Sequence, residues 1–181
     1  MKKIFLTFAV AGLFLFGCSD VGVNPNVPAN SSSTNTTLSK KGSSHSNSPF
    51  SVTETINGEV GGTITLNQIK KSEFVSASVF FPPHSFSGTQ TITMTVDPSS
   101  ASVTFYPHIV FNNRVDFNLT FLGLDLKNLG LTSGKVDFYF EADDGSLTLV
   151  KNNGVSVDIK LGLLAVKNAG LYHFSRYIFA K

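Results

Sequence analysis

The chain has no tryptophan, a single cysteine and only 14% charged residues. One cysteine excludes an internal disulfide, so the fold must hold by packing alone. Without tryptophan, the largest aromatic platform for stacking sugar rings is missing. The four histidines, His45, His84, His108 and His173, are scattered, and no two share one element at ligand spacing, so no metal site is expected. There is no Gly-Ser nucleophile elbow, no phosphate-cradling glycine loop and no pair of carboxylates in contrasting surroundings, so neither a cofactor nor ordinary enzymatic chemistry is expected. Glu141, Asp143 and Asp144 crowd together before Gly145, but a hairpin tip explains them more simply than a calcium loop does. No long amphipathic helical pattern occurs anywhere.

What is present begins with an export signal. Met1, Lys2 and Lys3 form a positive start, and Ile4 to Phe16 is apolar except for Thr7 and Gly12. That run is too short to cross a bilayer, which needs about 20 residues, and has the length of a signal-peptide core. It closes in Leu15-Phe16-Gly17-Cys18, which resembles a bacterial lipobox, with Phe16 where a smaller residue is usual. The resemblance implies removal of residues 1–17 and acylation of Cys18, which becomes the mature first residue and inserts into the lipid bilayer. Ser19 in the next position resembles lipoproteins sorted to the outer membrane. Asp20 leaves open whether the domain faces the periplasm or the surface.

Residues 18–49 are rich in Ser, Asn, Thr, Pro and Gly, and contain no aromatic residue. Such a stretch buries too little apolar surface to offset the entropy of ordering, and is expected to be a disordered, flexible tether. Loss of Lys2 and Lys3 with the signal leaves twelve basic and twelve acidic side chains. That balance predicts no basic patch for nucleic acid or anionic lipid.

From Phe50 to Lys181 the period is two. Ile92, Met94 and Val96 alternate with Thr91, Thr93 and Thr95. Val115, Phe117, Leu119 and Phe121 alternate with Asp116, Asn118 and Thr120. Val136, Phe138 and Phe140, then Val155, Val157, Ile159 and Leu161, repeat the pattern. One face is expected to be buried and the other wet, as in antiparallel sheets. Asn57-Gly58, Asp144-Gly145 and Asn153-Gly154 suit two-residue hairpin turns, and Pro82-Pro83 and Asp97-Pro98 should stop strands. Leu122 to Leu131 reads as a short helical or looped connection. The expected fold is an all-β antiparallel sandwich of about nine or ten short strands, its core supplied mainly by the 13 phenylalanines that remain after the signal is removed.

Several segments in order resemble one family. Gly61-Gly62-Thr63-Ile64-Thr65-Leu66 precedes Val75–Val79, then Phe81-Pro82-Pro83-His84-Ser85-Phe86, the Ile92–Val96 strand and Asp97-Pro98. Pro107-His108-Ile109-Val110-Phe111, Asp144-Gly145 and His173-Phe174-Ser175-Arg176-Tyr177 follow. Together they are similar to the ZU-five domain, a β-sandwich module of ankyrins and netrin receptors, with His84-Ser85 where the family usually has Gly-Ala. The resemblance implies a domain used for protein contacts, here with an unidentified envelope or extracellular partner. It also implies that the Phe174–Ser175 bond is a candidate for self-cleavage, with Ser175 as nucleophile on the Phe174 carbonyl and His173 as base. In a continuous strand His173 and Ser175 would share a face about 7 Å apart. A third expectation is a carbohydrate- or surface-adhesion module using Tyr106, Tyr139, Tyr172 and Tyr177.

Overall fold

The computed structural model describes residues 48–132 and 135–181. The signal peptide, Cys18 and nearly all of the tether lie outside the described residues. The elements, in chain order, are β1 (Phe50–Asn57), β2 (Gly62–Lys70), β3 (Glu73–Phe81), β4 (Thr89–Asp97), β5 (Ser102–Tyr106), β6 (Val110–Leu122), β7 (Asp137–Glu141), β8 (Leu147–Leu149), β9 (Val155–Asp158), β10 (Leu163–His173) and β11 (Arg176–Ala180). The protein is all-β, and its strands form two antiparallel sheets, of order β1-β4-β5-β11-β7-β8 and β2-β3-β6-β10-β9. Among the described residues there are eleven strands, where the alternation predicts nine or ten. Of the 122–131 stretch, Leu122 ends β6 and residues 123–131 are a looped connection, since no helix occurs among the described residues.

The inner faces follow the predicted pattern in the long strands. Ile92, Met94 and Val96 of β4 and Val115, Phe117, Leu119 and Phe121 of β6 are all fully buried. Among the described residues nine phenylalanines are buried, including Phe81, Phe105, Phe138 and Phe174. The outer face of β1 and β4 is a ladder of hydroxyls, Ser51 with Thr95 at 2.8 Å, Thr53 with Thr93 at 2.9 Å and Thr55 with Thr91 at 3.1 Å. Such cross-strand pairs each contribute a few tenths of a kcal/mol and fix register.

Four turn and strand expectations are corrected. Asn57-Gly58 is no hairpin turn, because β1 and β2 belong to different sheets. Gly58 is needed for close approach, since a Cβ there would lie 2.0 Å from the Phe86 carbonyl oxygen. The left-handed residue of that crossing is Gly61, at φ +79°, where a Cβ would lie 2.4 Å from the Phe81 oxygen. Asn153-Gly154 is likewise part of a crossing: Asn153 N donates to Lys167 O and Lys167 N to Gly154 O, which lays this segment against β10. The alternation at 155–161 also fails to bury its face beyond Val155, which packs against the core. Strand β9 ends at Asp158, and Val157, Ile159 and Leu161 are exposed. This strand is the edge of its sheet, and the opposite sheet ends in the three-residue β8, so the covering layer runs out. Of the three dipeptides, Asp144-Gly145 alone lies in a hairpin, joining β7 to β8, but the loop has three residues and not two: Ala142 N bonds Ser146 O, Gly145 N bonds Ala142 O, and Gly145 is left-handed at φ +79° while Asp144 is not.

The core has a centre. Phe174 stacks on Phe105 with ring centroids 4.3 Å apart and planes 2° from parallel, and meets Phe111 and Phe81 edge-on at 4.8 and 5.8 Å. It thereby joins both sheets. Phe174→Ala is expected to lower unfolding free energy by about 3–5 kcal/mol in a denaturant titration. A loss comparable to that of a surface substitution would show that the ring is not central.

Candidate functional site

The tripeptide His173-Phe174-Ser175 does not lie in one strand. Strand β10 ends at His173 and β11 starts at Arg176, so Phe174 and Ser175 form the passage from one sheet to the other. The expected common strand face for His173 and Ser175 is therefore corrected. A chain that changes layers must turn its backbone, and this breaks the two-residue alternation.

Three backbone groups at the passage are held. Phe174 N donates to Ile109 O at 2.7 Å, and Phe105 N donates to Ser175 O at 3.0 Å. The Phe174 carbonyl oxygen lies 3.0 Å from His108 Nδ1. A carbonyl only accepts, so this nitrogen carries the proton and Nε2 is left as the acceptor. His108 follows the cis Tyr106–Pro107 bond in the passage from β5 to β6. Two sheet crossings, 66 residues apart, thus meet at one carbonyl. Neither hydropathy nor spacing signals this contact.

His173 is half-buried. Its ring stands edge-on to Phe140 at 4.6 Å and lies over Tyr177 at 6.1 Å. Tyr177 Oη donates to the His173 carbonyl. Ser175 is half-buried, and its hydroxyl has no hydrogen-bond partner among the described residues. The site therefore combines a carbonyl polarised by an N–H donor, an adjacent hydroxyl and an imidazole clamped between aromatic rings.

The remaining candidates are dispersed. His84 Nδ1 meets Glu59 Oε2 at 2.8 Å on the surface. Glu141 pairs with Arg176 at 3.0 Å, and Asp144 bonds the Ser146 amide at the β7–β8 tip. No cluster of three potential metal ligands occurs among the described residues. Tyr177 is in the core, and Tyr106 and Tyr172 are exposed on different sheets, so the four tyrosines form no common platform. The alternation at 155–161 leads elsewhere: an open groove of about 570 Å³ is lined by Leu131, Thr132, Val136, Val157, Ile159 and Lys160. Comparison with protein-family models, with curated proteins and with solved structures finds no match.

Burial pushes the Tyr177 phenol well above its ordinary value. A folded-state value above the unfolded one means that its share of stability is whole below about pH 10 and is lost as pH rises past it. Tyr177→Phe is expected to cost about 1–2 kcal/mol at neutral pH, because the His173 carbonyl loses its donor. It should also flatten the fall in melting temperature above about pH 10. Parallel melting-temperature profiles for the two proteins across that range would refute the assignment.

Proposed function

We propose that the chain is a lipid-anchored protein of the cell envelope, held at the outer membrane through acylated Cys18, whose sandwich serves protein contact rather than catalysis. The observation that supports this is the pair of long edges. Strands β1 and β2 are each the last strand of their sheet, run for 8 and 9 residues, contain no proline and pair without a register shift. An edge of that kind presents a row of backbone donors and acceptors to a strand from a partner. The likeness to the ZU-five domain points the same way, although fold alone is a weak guide to function.

Two outcomes test this reading. The Cys18→Ser chain should leave the membrane fraction after a high-salt wash, whereas the unaltered chain should remain. Retention of both would refute the anchor. A photo-crosslinking residue at Thr55 or Gln68, in intact cells, should capture a specific envelope protein that the same probe at Lys167, away from these edges, does not. Equal capture at all three positions would refute edge pairing.

A second reading is favoured by the His108 contact: the domain cuts its own Phe174–Ser175 bond. Ser175 Oγ would add to the Phe174 carbonyl carbon as His173 takes the hydroxyl proton. The C–N bond then breaks, the proton passes to the departing Ser175 nitrogen, and an ester remains. Water hydrolyses that ester to a Phe174 carboxylate and the restored serine. His108 Nδ1–H is placed to stabilise the charge that develops on the carbonyl oxygen. Cleavage would leave β11 in place between β5 and β7. Mass spectrometry of denatured protein should then release residues 175–181, and Ser175→Ala should abolish that fragment. A single species ending at Lys181 would eliminate self-cleavage.

A further inference from the structure

The middle of the outer face of β2, β3 and β6 is covered by short uncharged polar side chains. Thr65 lies beside Ser78 and Ser78 beside Asn118, and Asn67 lies beside Ser76 and Ser76 beside Thr120. At the end of this face nearest Pro82-Pro83, Phe80 of β3 pairs with Asp116 of β6, and Asp116 with Gly170 of β10, in one row. Alternation sends Val79 and Phe81, Val115 and Phe117, and Ala169 and Leu171 into the core, so Phe80, Arg114, Asp116, Gly170 and Tyr172 face outward. Phe80 is 48% exposed and Tyr172 59%. Neighbouring strands lie about 4.8 Å apart and residues rise about 3.4 Å along each, so the two rings are rooted roughly 12 Å apart, on either side of Arg114 and Asp116.

The guanidinium between the rings is pinned to the sheet. Arg114 Nη2 donates to Asn168 O at 2.8 Å and lies 2.8 Å from Asp116 Oδ1. It rests on Gly170, where a Cβ would come within 2.7 Å of Arg114 Nε. Asn168 is left-handed, at φ +47°, in the register shift of β10 between Val166 and Ala169, and its amide donates to Asn118 Oδ1 at 3.0 Å. Bulges and left-handed residues other than glycine persist where the surroundings impose them, and they gather beside functional sites. Pinning Arg114 there leaves its Nε buried without a partner, a cost that folding alone does not explain. Both side chains of the Arg114–Asp116 pair are partly exposed, and Arg114 Nη1 and Asp116 Oδ2 have no hydrogen-bond partner among the described residues.

We propose that this face binds a neutral sugar chain, with Phe80 and Tyr172 as stacking surfaces and Arg114 with Asp116 as the pair that reads hydroxyls. The chemistry of the face selects the occupant. A sugar ring has an apolar C–H side, which suits the negative face of an exposed aromatic ring. Its rim carries hydroxyls, each at once donor and acceptor, which suit a donor fork set beside a carboxylate. Arg114 and Asp116 offset each other's charge. Other charges around the face, Lys151 and Lys167 along β10 and Glu59 beside His84, carry both signs. A protein partner would call for an apolar centre, whereas here polar groups separate the two rings. Of the four tyrosines expected to form a sugar platform, Tyr172 alone takes part, and its companion is Phe80. The site lies on a sheet face, so it is independent of the lipid anchor and of pairing at the β1 and β2 edges.

The test uses the full mature Cys18→Ser chain, which carries no lipid. Its binding to mannan, arabinoxylan, a mixed-linkage β-glucan and amylopectin is measured by titration calorimetry. At least one should bind, and high salt should change that affinity by less than about twofold, because no net charge is being neutralised. Phe80→Ala and Tyr172→Ala should each weaken it by at least about tenfold, the effect of truncating an aromatic anchor. Arg114→Lys keeps the charge but loses the planar fork, and should weaken it by a similar factor. Both rings are exposed, so Phe80→Ala and Tyr172→Ala should melt within a few degrees of the unaltered chain. Tyr106→Ala removes an exposed ring from the other sheet and should leave affinity within about twofold. No binding to any of the four polysaccharides, binding abolished by salt, or equal losses from Tyr106→Ala and Tyr172→Ala would overturn the proposal.

Discussion

The two layers are joined where Phe174 passes between them. Its ring fills the centre of the core, while its backbone must cross from one hydrogen-bonded sheet to the other. A buried crossing is costly unless its N–H and C=O groups find partners. Here Ile109, Phe105 and His108 supply them. With only one cysteine, expected at the membrane, no disulfide is available to staple the layers. Packing of aromatic rings around one crossing takes that role. Phe105, Phe111 and Phe81 reach Phe174 from three different strands.

The same constraint shapes the chemistry of the site. Six connections cross between sheets, and four hairpins stay within one. Because successive crossings alternate between the layers, residues distant in sequence meet at the ends of the sandwich. His108 and Phe174 belong to two such crossings. The hydrogen bond that holds the crossing at this point also polarises the carbonyl beside Ser175. Tyr177 adds a second clamp one turn of chain further on, bonding the His173 carbonyl while its ring packs on Phe105 and Phe138.

The ends of the sandwich acquire their character from this alternation too. Hairpin tips and crossings of unrelated sequence are brought side by side, and their side chains sort by where they can point. The carboxylates near the chain's entrance cap their own turns, as Asp97, Asp125 and Asp158 do, because a short acidic side chain reaches its own backbone amides. Lysines are too long for that and extend outward. The entrance end therefore carries outward lysines and turn-capping carboxylates together, Lys70, Lys71, Lys127, Lys135 and Lys160 beside Glu73, Asp97, Asp125, Asp137 and Asp158, and is charge-balanced.

The sequence by itself determined the class of fold. Strict alternation in Ile92–Val96 and Val115–Phe121 has one physical meaning, a strand with one buried face, and a run of such strands without helices must form stacked sheets. It also determined that a hairpin falls at Asp144-Gly145, though not that its loop has three residues, and the strand stops at Pro82 and Pro98. Strand pairing was beyond it. Asn57-Gly58 carries the same local preference as Asp144-Gly145, yet joins different sheets, because pairing is decided by which faces can be buried together and not by the turn dipeptide. Val155–Leu161 alternates as cleanly as β6, yet beyond Val155, which packs against the core, its apolar side chains stay exposed, because burial requires a covering layer and this strand sits at an edge. The contact of His108 with Phe174, and the gathering of Lys70, Lys127 and Lys160 at one end, arise only when the sheets close on each other. Local sequence sets which way a side chain points within its strand; what it then meets depends on contacts between segments far apart in the chain, and those exist only in the folded molecule.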